Sequence, residues 1–334
     1  MVGVTSTWKD FYAGKRVLVT GGTGMTGTEV IRQLLAAEPT VQVRATWNWT
    51  PPDFSNQRLE WVQADLRQRE ACQAAVAGVD AAILAAAVTG GARALTEQPE
   101  TQVTDNLVID ALMFEALALA DVSRCVFFST ASLYQPLAGL IREEQLDRNE
   151  PPHPAHRGIG FVKRASEQLC QFWHEHSGLA CGMLRAANIY GPRACFDPAR
   201  SNFIPALIRK ACDRLDPYEV WGSPDVVRDV IFVSDAAAAS VRLLAVPGLG
   251  CETHNLGTGF SSTVGDVVRE SLKSACHSPS SVVYSENRPV TVKGRILDCK
   301  RLEHRLGWKP TVALDEGVRQ TLRWWQENKN SWTR

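Results

Sequence analysis

The sequence has no surplus of either charge: 36 Lys and Arg stand against 36 Asp and Glu. A broad electrostatic footprint for nucleic acid or an anionic membrane is therefore missing, and any anionic ligand must be held locally. No apolar run reaches the ~18–20 residues that span a bilayer. The opening MVGVTSTWKD lacks the basic-then-apolar layout of a signal peptide. The expectation is a cytoplasmic protein without a membrane or nucleic-acid partner. There is no C-x-x-C pair either. The nine cysteines (Cys72, Cys125, Cys170, Cys181, Cys195, Cys212, Cys251, Cys276 and Cys299) stand singly and in odd number. That pattern speaks against a zinc site or a disulfide framework and for buried thiols in a reducing compartment. Disorder is excluded as well, because 45% hydrophobic and 22% charged residues are an ordinary globular composition.

What is present is a rhythm. Short β-rich runs at 16–20, 41–46, 59–64, 81–87, 124–130 and 180–186 alternate with amphipathic stretches beginning near Met25, Arg69, Thr101 and Ile159. Each stretch is long enough for a right-handed crossover, so the runs predict a parallel sheet and a Rossmann-type doubly wound α/β fold. After Arg185 the rhythm gives way to Pro and Gly punctuation, as in GPRACFDP, WGSPD and VPGLG. This predicts a dinucleotide-binding domain over 14–185 plus about 226–256, and a smaller, mostly C-terminal substrate-binding lobe over 186–225 plus about 257–334.

The run RVLVTGGTGMTGTEVIRQLL sets Gly21, Gly22, Gly24 and Gly27 between a buried-looking strand and an amphipathic helix. Glycines there permit a tight turn and close approach of a pyrophosphate, and the helix N-terminus attracts the anion. The acid expected ~20 residues further on for the ribose hydroxyls is absent from VQVRATWNW. Arg44 either accommodates a 2′-phosphate or is a solvated strand residue; the first alternative leans toward NADP(H) over NAD(H). Asp65 is placed to accept from the adenine amino group and, compatibly with that, to cap the following helix.

TGGTGMTG, ADL, LAAAVTGG, FFSTASLYQP, the helix containing Lys163, and NIYGP together resemble the extended short-chain dehydrogenase/reductase family of NAD-dependent epimerases and dehydratases. FDPARSNFIPALIRK, VWGSPDVVRDVIFVSD, HNLGTG and LGWKPTVALDEGV are similar to its GDP-fucose synthase branch, and the match runs through nearly the whole chain. The resemblance implies that Gly21, Gly24, Met25, Thr26, Gly27, Asp65, Leu66, Ala85, Ala86 and Lys163 hold a nicotinamide dinucleotide. It also implies a homodimer through the helices beginning near Thr101 and Ile159.

The family pairs a Ser or Thr with Tyr-x-x-x-Lys, because hydride transfer at a sugar carbon needs a proton moved on or off the neighbouring oxygen. Here Thr130 takes the first place and Lys163 the last, and counting back four residues gives Ile159, which moves no proton. The cysteine and histidine that serve epimerisation in the fucose-synthase branch fall on Ser132 and Asn202. Thr130 is followed by Ala131 and Ser132 rather than by the acids of the dehydratases, which leaves epimerase, including 4-epimerase, or reductase. Candidates to replace the phenol are Tyr134, Cys195, Asp197, His153 and His156, or a water held by Thr130 and Lys163. Asn188, Asn202, Trp221 and Arg228, with Ser132, are placed on a nucleotide-sugar substrate: Arg228 matches a family arginine on the diphosphate, and Trp221 offers a flat apolar face. Two readings follow. One is a nucleotide-sugar enzyme, GDP-linked, with Thr130, Lys163 and Ser132 as its catalytic group. The other is a cofactor-binding protein that has lost catalysis and serves as a regulatory or scaffold partner.

Overall fold

The computed structural model describes residues 7–91, 98–285, 294–330 and 332. Strands are numbered in chain order: β1 Arg16–Thr20, β2 Gln42–Trp47, β3 Leu59–Gln63, β4 Ala81–Leu84, β5 Arg124–Thr130, β6 Leu140–Ile141, β7 Ala180–Ala186, β8 Asn188–Tyr190, β9 Tyr218–Trp221, β10 Val227–Arg228, β11 Val230–Phe232, β12 Cys251–Leu256, β13 Ser262–Thr263, β14 Val282–Ser285 and β15 Gly294–Leu297. Seven of them form one parallel sheet in the order β12-β7-β5-β4-β1-β2-β3. The order turns back at β1, whose neighbours are β2 and β4, and that reversal opens a crevice at the carboxyl edge. A smaller sheet runs β13-β10-β15-β6.

The helices are α1 Met25–Ala37, α2 Arg69–Val76, α3 Thr104–Leu119, α4 Arg157–Ser177, α5 Phe203–Cys212, α6 Val233–Leu244, α7 Val264–Ser274, α8 Lys300–Leu306 and α9 Leu314–Asn328. Strand alternation divides the core. Val17, Val19, Val43 and Ala45 pack with α1 and α6, whereas Leu18, Ala82, Cys125 and Cys181 face α2, α3 and α4. A separate cluster around Phe196, Leu207, Val264, Val318 and Trp325 joins α5, α7 and α9.

Three boundaries differ from the sequence expectation by two residues or more, for local reasons. The strand expected to run to residue 87 stops at Leu84, because the next two amides, of Ala85 and Ala86, both donate to Thr20 Oγ1 at 3.0 Å. The helix expected near Thr101 starts at Thr104, after a 3-10 turn over Pro99–Gln102. The one expected at Ile159 starts at Arg157, after a similar turn over Pro154–His156.

The singly spaced cysteines also come together. Cys125, Cys181 and Cys251 sit abreast on β5, β7 and β12, and Cys170 of α4 brings its Sγ to 3.2 Å from that of Cys181. Burial pushes the Cys170 thiol up to about 12, so it packs as a small protonated hydrophobe. Among the described residues no group of three or more His, Cys, Asp or Glu is arranged to hold a metal ion, and no helix is long and apolar enough to cross a membrane.

Candidate active site

The turn after β1 is built so that backbone, not side chain, lines it. Gly21 adopts a φ of +66°, and a Cβ there would lie 2.9 Å from Ala86 Cα. At Gly27 a Cβ would meet the Gly21 carbonyl oxygen at 2.2 Å, so only glycine lets the first turn of α1 close on β1. Thr46 fixes the loop, its carbonyl accepting from the Gly22 amide at 2.7 Å. Gly24 is the N-cap of α1 and brings no side chain of its own to the amides of Met25, Thr26 and Gly27, which form the helix N-terminus at the crevice. This cradle fits a dinucleotide pyrophosphate. Ala85 and Ala86, held by Thr20, and the buried Leu66 lie at the ends of the neighbouring strands.

Two adenosine-end expectations change. Arg44 points toward α2: its Nε donates to Glu60 Oε2 at 2.9 Å, and NH1 donates to the carbonyls of Ala75 and Ala77 at 3.2 and 2.7 Å. Those carbonyls end a helix that runs antiparallel to the strands, so the guanidinium sits at the amino edge of the sheet, away from the cradle. Arg44 is a helix C-terminal partner, not a 2′-phosphate ligand. Asp65 is clasped by Arg67, whose Nε and NH2 donate to it at 2.9 and 2.8 Å and hold its carboxyl below the usual range. Arg67 also donates to Asp105 at 3.0 Å. The N-cap of α2 is Gln68, so the capping role expected for Asp65 does not hold.

Beside the cradle, the carboxyl ends of β5 and β7 open into a cleft of about 410 Å³. Its wall brings together Thr130, Ser132, Asn188, Asn202, Trp221 and Arg228, six residues chosen from sequence across nearly a hundred positions. Thr130 Oγ1 accepts from the Ser132 amide at 3.2 Å and so caps the turn that presents the Ser132 side chain. Asn188 Nδ2 donates to the Asp229 carbonyl at 2.9 Å. Trp221 is half-exposed, with the Lys210 ammonium 6.0 Å from its ring centroid.

Sequence reasoning missed Arg295 of β15, which lines the same cleft. Its NH1 donates to the Ala131 carbonyl, while Nε and NH2 are buried without a hydrogen-bond partner among the described residues. Burial, aided by the neighbouring Arg228, pulls its pKa down to about 10, and burial also lowers that of Arg228. Arg228 and Arg295 stand in register on β10 and β15, and the two buried, unpaired nitrogens of Arg295 are costly unless an anion meets them. The only prior signal was an arginine in a short strand, which strand periodicity alone does not distinguish from a solvated one.

The proposed substitutes for the phenol separate clearly. Tyr134 is fully buried, donates to Asn255 Oδ1 at 2.7 Å and accepts from Arg185 at 3.0 Å; burial pushes it up to about 12, so it is a core residue. Asp197 is turned into its own loop, accepting from the Ala199 amide and Arg200 Nε, both at 2.9 Å, and the cleft wall there is Pro198 and Ala199 rather than Cys195. His153 caps its turn by accepting from the Ala155 amide at 3.2 Å. His156 alone of the five lies on the cleft. Lys163 stands one helical turn after Ile159, but its Nζ is bound to Asp110 Oδ2 at 2.9 Å and lies 4.4 Å from the Phe127 ring centroid.

A glycine cradle at the reversal of a doubly wound sheet, adjoining a cleft with a cationic end, is the architecture of the extended short-chain dehydrogenase/reductase type. The chain belongs to the NAD dependent epimerase/dehydratase family, whose pattern matches residues 17–257. It is 28% identical over 267 residues to GDP-L-fucose synthase of Escherichia coli (strain K12), covering 75% of this chain and 82% of that one. It is 31% identical over 321 residues to a putative GDP-L-fucose synthase 2 of Oryza sativa subsp. japonica, covering 93% and 86%. Among solved structures, a dTDP-glucose 4,6-dehydratase from Streptomyces venezuelae with NAD and TYD bound superimposes with a TM-score of 0.81 at 26% identity, over 95% of this chain and 98% of that chain. A UDP-glucose 4-epimerase of Thermotoga maritima shares the fold with a TM-score of 0.82 at 23% identity, over 94% and 99%.

Proposed function

We propose that the chain is a nucleotide-sugar epimerase or reductase that uses NAD(H) or NADP(H), acts on a GDP-linked hexose or keto-hexose, and works with an altered acid/base set. One observation carries the reading: Arg228 and Arg295, both desolvated, share a cleft with Thr130 and Ser132 next to the glycine cradle. The guanidiniums suit a diphosphate, and the hydroxyls and amides of Thr130, Ser132, Asn188 and Asn202 suit sugar oxygens. A nicotinamide dinucleotide whose pyrophosphate the cradle holds would supply hydride transfer. The GDP-linked class rests on the relatives named GDP-L-fucose synthase. With Arg44 committed elsewhere, the NADP(H) preference drawn from it has no support in the geometry.

The division into lobes at 14–185 plus 226–256 and 186–225 plus 257–334 belongs to the same reading, as does a cytoplasmic setting. So does a homodimer, which would cover Leu107 and Leu119 of α3 and Phe161 and Phe172 of α4, all exposed. A second reading, a binding protein without turnover, is favoured by Ile159 and by the Lys163 ammonium held on Asp110. A thermal-shift screen of NAD(H), NADP(H), GDP-mannose and UDP-glucose, followed by turnover assays of whatever binds, separates the two. Binding with turnover supports the enzyme, binding without turnover the scaffold, and no stabilisation by any dinucleotide contradicts both.

A further inference from the structure

We propose that His156 is the catalytic acid/base that moves the proton on the reacting sugar oxygen, in place of the phenol absent at Ile159. The inference rests on the nucleotide-sugar reading above. His156 ends the 3-10 turn that feeds α4, three residues before Ile159, and it is on the cleft wall with Thr130 and Ser132. Its Nδ1 is buried and has no hydrogen-bond partner among the described residues. Nε2, the other ring nitrogen, is neither occluded nor hydrogen-bonded among the described residues, so it is the one that a sugar hydroxyl or carbonyl oxygen in the cleft can meet.

The charged groups around the ring are Arg295 of β15, Arg228 of β10 and its neighbour His153, whose ring centroid lies 6.1 Å away. Burial and these groups hold the imidazole neutral, its pKa pulled down to about 4. An empty cleft therefore holds a weak base. A diphosphate bound between the two arginines would cancel their push and raise the basicity of the ring, so substrate binding itself prepares the group. When the sugar carbon is oxidised, Nε2 accepts the hydroxyl proton; when it is reduced, the same nitrogen returns the proton to the carbonyl oxygen. The hydride that leaves or reaches the carbon is the dinucleotide's share, which balances the step.

The test combines a titration with turnover. In protein carrying 13C-labelled histidine, the His156 resonance should titrate well below pH 6.5 and move upward when GDP saturates the cleft. His156→Gln should bind GDP within about threefold of wild type but lose at least ~10²-fold in kcat with GDP-mannose, GDP-4-keto-6-deoxymannose or UDP-glucose, whichever the wild type turns over. Adding Ile159→Tyr to His156→Gln should restore part of that loss by returning a phenol to the helix face. A wild-type activity unchanged in His156→Gln, or a His156 titration that GDP does not move, overturns this inference alone. Failure of GDP to bind, or turnover of none of the three sugars by the wild type, overturns the nucleotide-sugar enzyme reading and this inference with it.

Discussion

Lys163 and Asp110 form a buried ion pair, Nζ to Oδ2 at 2.9 Å, with side-chain exposures of 6% and 4%. Ser166 Oγ donates to the same carboxylate oxygen at 2.7 Å, so α3 and α4 are tied by one shared acceptor. Removing one partner strands the other charge in the interior. Asp110→Ala should therefore lower the unfolding free energy by ~3–5 kcal/mol. Urea denaturation of Asp110→Ala beside wild type checks this, and an unchanged midpoint would show that the pair is solvated. A consequence for the chemistry follows: a loss of activity in a Lys163 variant reports folding as well as catalysis unless its stability is measured alongside.

The two cleft arginines should separate nucleotide-sugar binding from dinucleotide binding. Arg228→Ala and Arg295→Ala are each expected to weaken GDP by ~1.5–3 kcal/mol, the range for a hydrogen bond to a charged group. NADH and NADPH affinities should stay near wild type. Calorimetric titration of each ligand into each variant makes the comparison. If Arg228→Ala weakens the dinucleotide and spares GDP, the arginine serves the cradle instead.

Much of this was legible in the sequence. The parallel strands announced themselves as short β-branched runs, and the cradle by glycines placed between a strand and a helix, because those signals are local. Thr130, Ser132, Asn188, Asn202, Trp221 and Arg228 could be placed on one cleft only through motif resemblance. What escaped were the long-range partnerships. Nothing around Asp110 marks it as the partner of a lysine 53 positions later. Nothing in VQVRAT says whether Arg44 leans toward the ligand edge or toward the helix end, since strand alternation fixes the face but not the reach. Cys125, Cys181 and Cys251 read as scattered because the register that aligns them exists only in the folded sheet.

The cradle and the Arg44 correction give paired expectations. Gly27→Ala places a methyl group against the Gly21 carbonyl, so it should displace the loop and abolish dinucleotide binding while leaving GDP binding measurable. Arg44→Ala should leave the ratio of NADPH to NADH affinity unchanged within about threefold, because its guanidinium is spent on the end of α2. Fluorescence titration with both reduced dinucleotides reads each outcome, and a ratio that collapses in Arg44→Ala would restore the arginine to the 2′-phosphate.

Histidine burial sets an acid limb. The folded pKa of His156 is lowered to about 4 from an ordinary value near 6.5. Above pH 6.5 both folded and unfolded chains hold it neutral and its full contribution to stability is present. As the pH falls from 6.5 toward 4 the unfolded chain takes up a proton that the folded chain refuses, so stability is lost, by on the order of 2–3 kcal/mol. His153 and His254, also lowered by burial, add in the same direction. Urea midpoints at pH 7.5 and 5 should differ less in His156→Gln than in wild type, and an equal difference would place the ring in solvent.

The most direct measurement is a calorimetric titration of GDP-mannose into the protein saturated with NADH or NADPH, matched by the reverse order of addition. Two ligands held at once, about one of each per chain, are what a glycine cradle adjoining a two-arginine cleft predicts. Competition of the sugar nucleotide with the dinucleotide for a single site, or failure of both dinucleotides to bind, would contradict it.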